Sequence, residues 1–262
     1  MQFLSSMLVS YLFLAIFLHV AYFLAVRQKN NAIADIFWGM GFVIVAWTSL
    51  IYQQNFTARA LLATILVTLW GLRLSTYILI RNQGKPEDWR YKKWRKDWGD
   101  NWKLRSYLQV FVLQSLILMV IASATVLINT FSLNTQISDL NWLDWLGVGV
   151  WLLGFLFETI GDYQLFQFKQ DPNNKGKIMK QGLWRYTRHP NYFGEATLWW
   201  GIWLMALNLP WGWLTVISPA MIDYTLLAVS GIPMLEKRYE GNPEFEQYKK
   251  ETSAFFPWFV CK

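Results

Sequence analysis

Cysteine is almost absent from this chain. Cys261, next to the C-terminus, is the only one in 262 residues, so neither an internal disulfide nor a thiolate cluster can form. Histidine is as scarce: His19 falls inside the first apolar run and only His189 is left, which gives no metal site and predicts no metal cofactor. Charge is thin as well, at 16% of residues against roughly a quarter in soluble domains. No Gly-x-Gly-x-x-Gly or Walker loop follows a strand pattern, so any nucleotide must be held in a non-Rossmann way. Internal repeats and paired broken helices are missing, which leaves a transporter poorly supported. No linker-like stretch divides the chain, and a single domain over 1–262 is expected.

Apolar sequence fills the space, with 54% hydrophobic residues, 18% aromatic residues and seventeen tryptophans. Runs of roughly twenty apolar residues fall at about 3–26, 32–51, 60–80, 110–131, 142–165, 192–209 and 213–232. They predict an all-α polytopic membrane protein with about seven transmembrane helices. The first run is too long for a cleavable signal and lacks a basic start or a small-residue cleavage site, so a retained helix is expected. Residues 81–105 break the pattern: they are strongly polar, with Trp89, Trp94, Trp98 and Trp102 among the charges. The last three stand four residues apart and form one stripe on a helix, as on an amphipathic helix at a membrane surface.

A net charge of +7 would point to nucleic acid in a soluble protein. Here the basic residues sit between apolar runs, so no nucleic-acid partner is expected. Lysine and arginine concentrate in 27–31, 81–105, 167–190 and 233–262, which alternate onto one side, while the opposite loops hold essentially only Arg59. The positive-inside rule places the basic loops and the C-terminus in the cytosol.

Polar groups inside apolar runs are costly and mark function by default. Asp35 lies one turn inside the second run, and Arg73 about two turns inside the third. Glu158 and Asp162 lie one turn apart in the fifth, and Asp223 near the middle of the last has no evident partner. The densest polar stretch, Gly182 to Glu195, holds Arg188, His189, Asn191 and Glu195 at the mouth of the sixth run. Asp35, Arg73, Glu158 and Asp162 fall at a similar depth on the same side, as a polar cavity open to the cytosol requires. The structural alternatives are Asp35–Arg73 and Asp162–Lys169 pairs, or an Arg73 that snorkels to the headgroups.

The block from Glu158 to Glu195 contains Asp162-Tyr163, Gly182-Leu183-Trp184-x-Tyr186 and Asn191-x-x-Gly194-Glu195. It resembles the C-terminal domain of the membrane steroid 5α-reductases, and Arg188-His189-Pro190-Asn191-Tyr192 is closer to that family's bacterial branch. The resemblance covers roughly 150–262. It is weaker over 60–90, where Arg73 and Gly84-Lys85-Pro86 match, and loose before that. It implies seven helices that enclose NADPH from the cytosolic side, with an apolar steroid beside the nicotinamide. Residues 1–106 would be substrate-side helices and 107–262 the cofactor-binding part.

Carried over by position, Asp162, Lys169, Lys177, Tyr186, Asn191 and Glu195 would line the NADPH pocket. Arg73, Lys85 and Arg188 would be further contacts, and Glu158 and His189 belong to the same block. Cations suit the phosphates, while carboxylates and amides suit ribose hydroxyls and the carboxamide. Gly231-Ile-Pro-Met-Leu-Glu236 stands where the animal enzymes have a histidine-rich helix, which makes Glu236 a substitute contact.

The implied reaction is hydride delivery to the β-carbon of an α,β-unsaturated ketone, with a protein donor facing the charge that develops on the ketone oxygen. The eukaryotic enzymes look to use a glutamate with a tyrosine. This chain has Asp35 one turn before the aligned Gly39, and its third run offers Trp70 or Tyr77. A buried Asp35 kept protonated at neutral pH would be the donor.

Two rivals share these features. A membrane methyltransferase of the isoprenylcysteine carboxyl methyltransferase type, using S-adenosylmethionine, fits Arg188-His189-Pro190 and the tail Glu236-Lys-Arg-Tyr with Tyr248. Its cofactor has no phosphate, whereas Lys169, Lys177, Arg185 and Arg188 supply cations that favour NADPH. A non-catalytic sterol- or lipid-binding protein would not need Asp35 and Asp162. The expected partners are therefore NADPH, an apolar steroid-like substrate and the bilayer. Compact loops favour a bacterial inner membrane, and nothing in the sequence speaks to oligomeric state.

Overall fold

The computed structural model describes residues 1–134 and 140–259; Cys261 and most of the polar 132–141 loop lie outside them. Among the described residues the chain is all-helical. The first three apolar runs become α1 (Gln2–Gln28), α2 (Ile33–Gln53) and α3 (Ala58–Asn82). Lys29 and Gln54 end α1 and α2 in the left-handed conformation, at φ 51° and 49°, and their backbone N–H groups return to the last carbonyls.

The polar 81–105 segment is helical, as its aromatic spacing predicts. Asp88 caps α4 (Trp89–Trp98) by accepting from Arg90 N at 3.0 Å. A 3-10 turn, α5 (Trp102–Arg105) and a π turn lead into α6 (Leu113–Phe131), so one helical stretch runs from Trp89 to Phe131. The remainder is α7 (Trp142–Gln170), α8 (Pro190–Ala206), α9 (Ile217–Tyr224) continued by a π turn, α10 (Ile232–Lys237) and α11 (Pro243–Glu251).

This is a membrane protein: 6 helical stretches are long and apolar enough to cross a bilayer. The expected run at 192–209 is α8, which at 17 residues falls just short of that length.

The helices divide into two compact units, one of Met1–Asp144 with Met205–Ser218, the other of Trp145–Leu204 with Pro219–Lys262. In the first, buried amides join α2, α3 and α6. Asn129 Nδ2 donates to Ala46 O and Ser49 Oγ, both at 2.9 Å, and Asn55 Nδ2 donates to Asn129 O at 2.7 Å. The Asn129 and Asn55 amides are thereby engaged inside an apolar bundle, where a lost partner is costly. Arg59, which the sequence places among loop charges, is 0% exposed and forms a two-bond fork on Asp144 at 2.8 and 2.9 Å. It is thus a pinned helix end.

In the second unit, α7 and α8 approach through glycine. A Cβ on Gly154 would sit 2.5 Å from Gly194 O, and one on Gly194 would sit 2.4 Å from Glu158 N. Gly201 meets Trp151 N, and Gly161 meets Asn191 N, at neighbouring levels of the same seam. Small residues let membrane helices pack backbone against backbone, and this contact fixes which polar groups face each other.

Candidate functional site

The α7–α8 seam collects the carboxylates and the amide singled out by sequence. Glu158 and Asp162, on successive turns of α7, are 2% and 4% exposed, and Glu195 on α8 is buried one turn after Asn191. Asn191 Nδ2 donates to Asp162 Oδ1 at 3.1 Å. Its other amide atom, Oδ1, is buried and has no hydrogen-bond partner among the described residues. Such an acceptor costs about 1–3 kcal/mol unless something donates to it.

The stretch before α8 is clamped from both sides. Trp184 Nε1 donates to Gly161 O at 3.0 Å, and Leu183 N donates to Gln164 Oε1 at 2.9 Å, which docks the 182–185 turn on α7. From the other side, Arg188 N donates to Ser253 O at 2.8 Å, Thr187 Oγ1 to Phe255 O at 2.9 Å and Trp258 N to Tyr186 O at 2.9 Å. The Tyr248 hydroxyl donates to Trp184 O; burial pushes its ionisation up, so it stays a donor. His189 carries the carbonyl that accepts from Phe193 N at 3.0 Å, and Pro190 follows it at the first helical position, where a missing N–H costs nothing.

Arg188, His189 and Glu236, each expected at the cofactor, come together. Arg188 Nε at 2.8 Å and His189 Nε2 at 3.1 Å both meet Glu236 Oε1. Arg188 Nη1 donates to Lys249 O and Thr252 O as well. Burial holds His189 below the ordinary imidazole range, and the neighbouring Arg188 charge adds to this against the opposing pull of Glu236. A neutral ring facing a carboxylate carries its proton on the facing nitrogen, so Nε2–H is the donor to Glu236. His189 also stacks on Tyr192 at 5.5 Å.

Lys169, Lys177 and Tyr186, by contrast, are exposed around this stretch. Asp223, which had no evident partner, accepts from Trp200 Nε1 at 3.0 Å.

The other expected residues belong to the first unit. Asp35 pairs with Arg90, not Arg73: Arg90 Nη2 lies 3.3 Å from Asp35 Oδ2, and the Tyr91 hydroxyl donates to Asp35 Oδ1. Both partners come from α4, which sequence reading assigned only to the membrane surface. Trp70 is fully buried and packs edge-on against Phe42 at 5.2 Å, which makes it part of the core. Tyr77 lies under the Arg81 guanidinium at 5.5 Å, and Arg73 is partly buried one turn before it on α3.

Lys85 is exposed and lines a cavity of about 390 Å³ with Gln28, Asn30, Ile33, Leu79 and Asn82. At Gly39, where the resemblance expects a glutamate, a Cβ would lie 2.4 Å from Gly71 O, so a longer side chain would force α2 and α3 apart.

Sequence reading missed Tyr91, Arg90 and the glycine seam. The seam had a signal, the seven-residue spacing of Gly147, Gly154 and Gly161 repeated in Gly194 and Gly201. Tyr91 had none, because its contact with Asp35 spans 56 residues.

A family described as "Protein of unknown function (DUF1295)" matches residues 21–252. An uncharacterized protein of Schizosaccharomyces pombe is 24% identical over 275 residues, which covers 91% of this chain and 76% of that protein. The 3-oxo-5-alpha-steroid 4-dehydrogenase 1 of Macaca fascicularis is 29% identical over 113 residues, covering 43% of this chain and 40% of that enzyme. The Homo sapiens enzyme of the same name is 29% identical over 114 residues, with the same coverage of 43% and 40%. The chain thus aligns with less than half the length of these dehydrogenases. No solved structure matches it.

Proposed function

We propose a reductase function for this chain, which belongs to the DUF1295 family and is steroid 5α-reductase-like. In this reading it reduces the C4–C5 double bond of a 3-keto-Δ4 steroid, or a similar enone lipid, with NADPH. The observation that carries the reading is the Asn191 amide: one end is tied to Asp162, and the other is a buried oxygen awaiting a donor.

The donor chemistry around that oxygen fits a dinucleotide. A carboxamide N–H or a ribose hydroxyl satisfies Asn191 Oδ1, while Asp162, Glu195 and Glu158 accept from further hydroxyls. Lys169, Lys177 and Tyr186 supply the exposed cations and hydroxyl that phosphates take. Arg188, His189 and Glu236 hold one another, so they position the stretch that carries Asn191. When bound, NADPH supplies the hydride.

The chain's own part in the chemistry is to hold a proton where the ketone needs it. Negative charge that develops on a ketone oxygen is stabilised by a preorganised donor. Tyr91 donates its hydroxyl proton to Asp35, with Arg90 fixing the carboxyl from the other side, and this pair is the proposed source of the donor. Tyr77 is a secondary candidate. Trp70, as part of the core, shapes the surroundings. The basic loops face the cytosol in this reading, where NADPH is available.

Purified protein given tritium-labelled NADPH and a 3-keto-Δ4 steroid is expected to transfer label to the steroid. No transfer, together with methyl incorporation from labelled S-adenosylmethionine, would overturn the reading. Asn191→Ala is expected to weaken NADPH binding by about tenfold or more, the loss of roughly one hydrogen bond to a polar ligand. Asp35→Asn and Tyr91→Phe are expected to lower kcat by about 10²-fold or more, as for a lost general acid, with NADPH affinity within about twofold. Equal loss of turnover and affinity would make the pair structural.

A further inference from the structure

We infer that the outer face of α4 is a docking site for anionic phospholipid headgroups. Trp89, Lys92, Lys93 and Lys96 stand at i, i+3, i+4 and i+7, so they share one helix face. The opposite face carries Tyr91, Trp94 and Trp98, which pack on Ala21, Ala25, Ile33, Val110 and Phe111. Trp94 and Trp98 stack there at 6.0 Å. That packing fixes which side α4 turns outward.

The cations of α4 then sort into two groups. Arg90 is engaged by Asp35 and Asp88, and Arg95 by Glu87. Lys92, Lys93 and Lys96 have no ion-pair partner among the described residues, and Lys92, Lys93 and Lys96 are exposed. With Trp89, which is 40% exposed, and Arg95 they line an open groove of about 550 Å³. Residues 81–105 as a whole hold nine basic and four acidic residues, so the field over this face is strongly positive.

The position of α4 selects the partner. One helical stretch runs from Trp89 into the span ending at Phe131, which holds α4 where a bilayer's headgroups lie. Indole rings favour that layer, and lysine ammonium groups on flexible stems reach phosphates there. A soluble nucleotide would need hydroxyl acceptors beside the cations, and the groove's lining supplies none. The occupant is therefore an anionic lipid. This inference is independent of the reductase reading.

Native mass spectrometry of the full-length protein, released from detergent with added phosphatidylglycerol or phosphatidylcholine, tests it. The first phosphatidylglycerol is expected to bind about tenfold or more tightly than phosphatidylcholine, since each surface lysine is worth roughly fivefold toward an anionic headgroup. In K92Q/K93Q/K96Q the preference is expected to fall to within twofold, with thermal unfolding unchanged. In the control K175Q/K250Q it is expected to persist. An unchanged preference in the triple variant, or equal loss in the control, would overturn the proposal. So would displacement of bound phosphatidylglycerol by inorganic pyrophosphate at equal concentration, because the site would then serve soluble phosphates.

Discussion

Arg188 and His189 converge on a single carboxylate oxygen of Glu236, and this sets how the 182–195 stretch responds to pH. His189 is held below the ordinary value of 6.5 by burial. The unfolded chain therefore takes up a proton at a higher pH than the folded one. The contribution of neutral His189 to folding stability is fully present above about pH 6.5 and is lost as pH falls from there through the lowered folded value. Thermal unfolding followed between pH 8 and pH 5 should show this decline in the native protein and a flatter profile in His189→Gln. The same decline in both would place the effect elsewhere. Arg188 shows what residue type leaves open: the charge that suits a phosphate equally suits Glu236 and two backbone carbonyls.

Helix contacts follow a different logic, in which absent side chains matter most. The α7–α8 seam works because Gly154 and Gly194 leave room for the facing backbone, and the same seam sets Asn191 against Asp162. Gly194→Leu is expected to separate the helices, lower the unfolding temperature by several degrees and reduce NADPH affinity by about tenfold. Gly149→Ala, also in α7 but with nothing near its Cβ, should be neutral or slightly stabilising through helix propensity. If both variants behave alike, close approach is not what the seam requires. In the first unit Gly39 and Gly71 make an equivalent contact between α2 and α3.

For the whole molecule the proposed pattern is charge by side. The basic loops are proposed to share the cytosolic face, so a cysteine placed at Lys175, with Cys261 replaced by serine, should react with an impermeant maleimide only from the cytosolic side. A cysteine at Phe56, exposed between α2 and α3, should react only from the other. Reaction of both from one side would break the alternation. Arg59, the exception to the charge pattern, is paired with Asp144.

The sequence by itself determined the class: long apolar runs demand helices, because a bilayer offers no partner to an open backbone. It also placed α1, α2, α3, α6, α7 and α8 to within a few residues, although the run at 213–232 is divided among a 3-10 turn, α9, a π turn and the start of α10, and it singled out Asp162, Asn191 and Glu195, because carboxylates and amides are rare inside apolar runs. Only the tertiary structure decided partners. Asp35 finds Tyr91 and Arg90 across 56 and 55 positions, and Arg59 finds Asp144 across 85. Such pairings depend on how helices pack, and packing here is set by the places where glycine lets two backbones touch. Periodicity names the face that a residue occupies. It carries no information about what stands opposite.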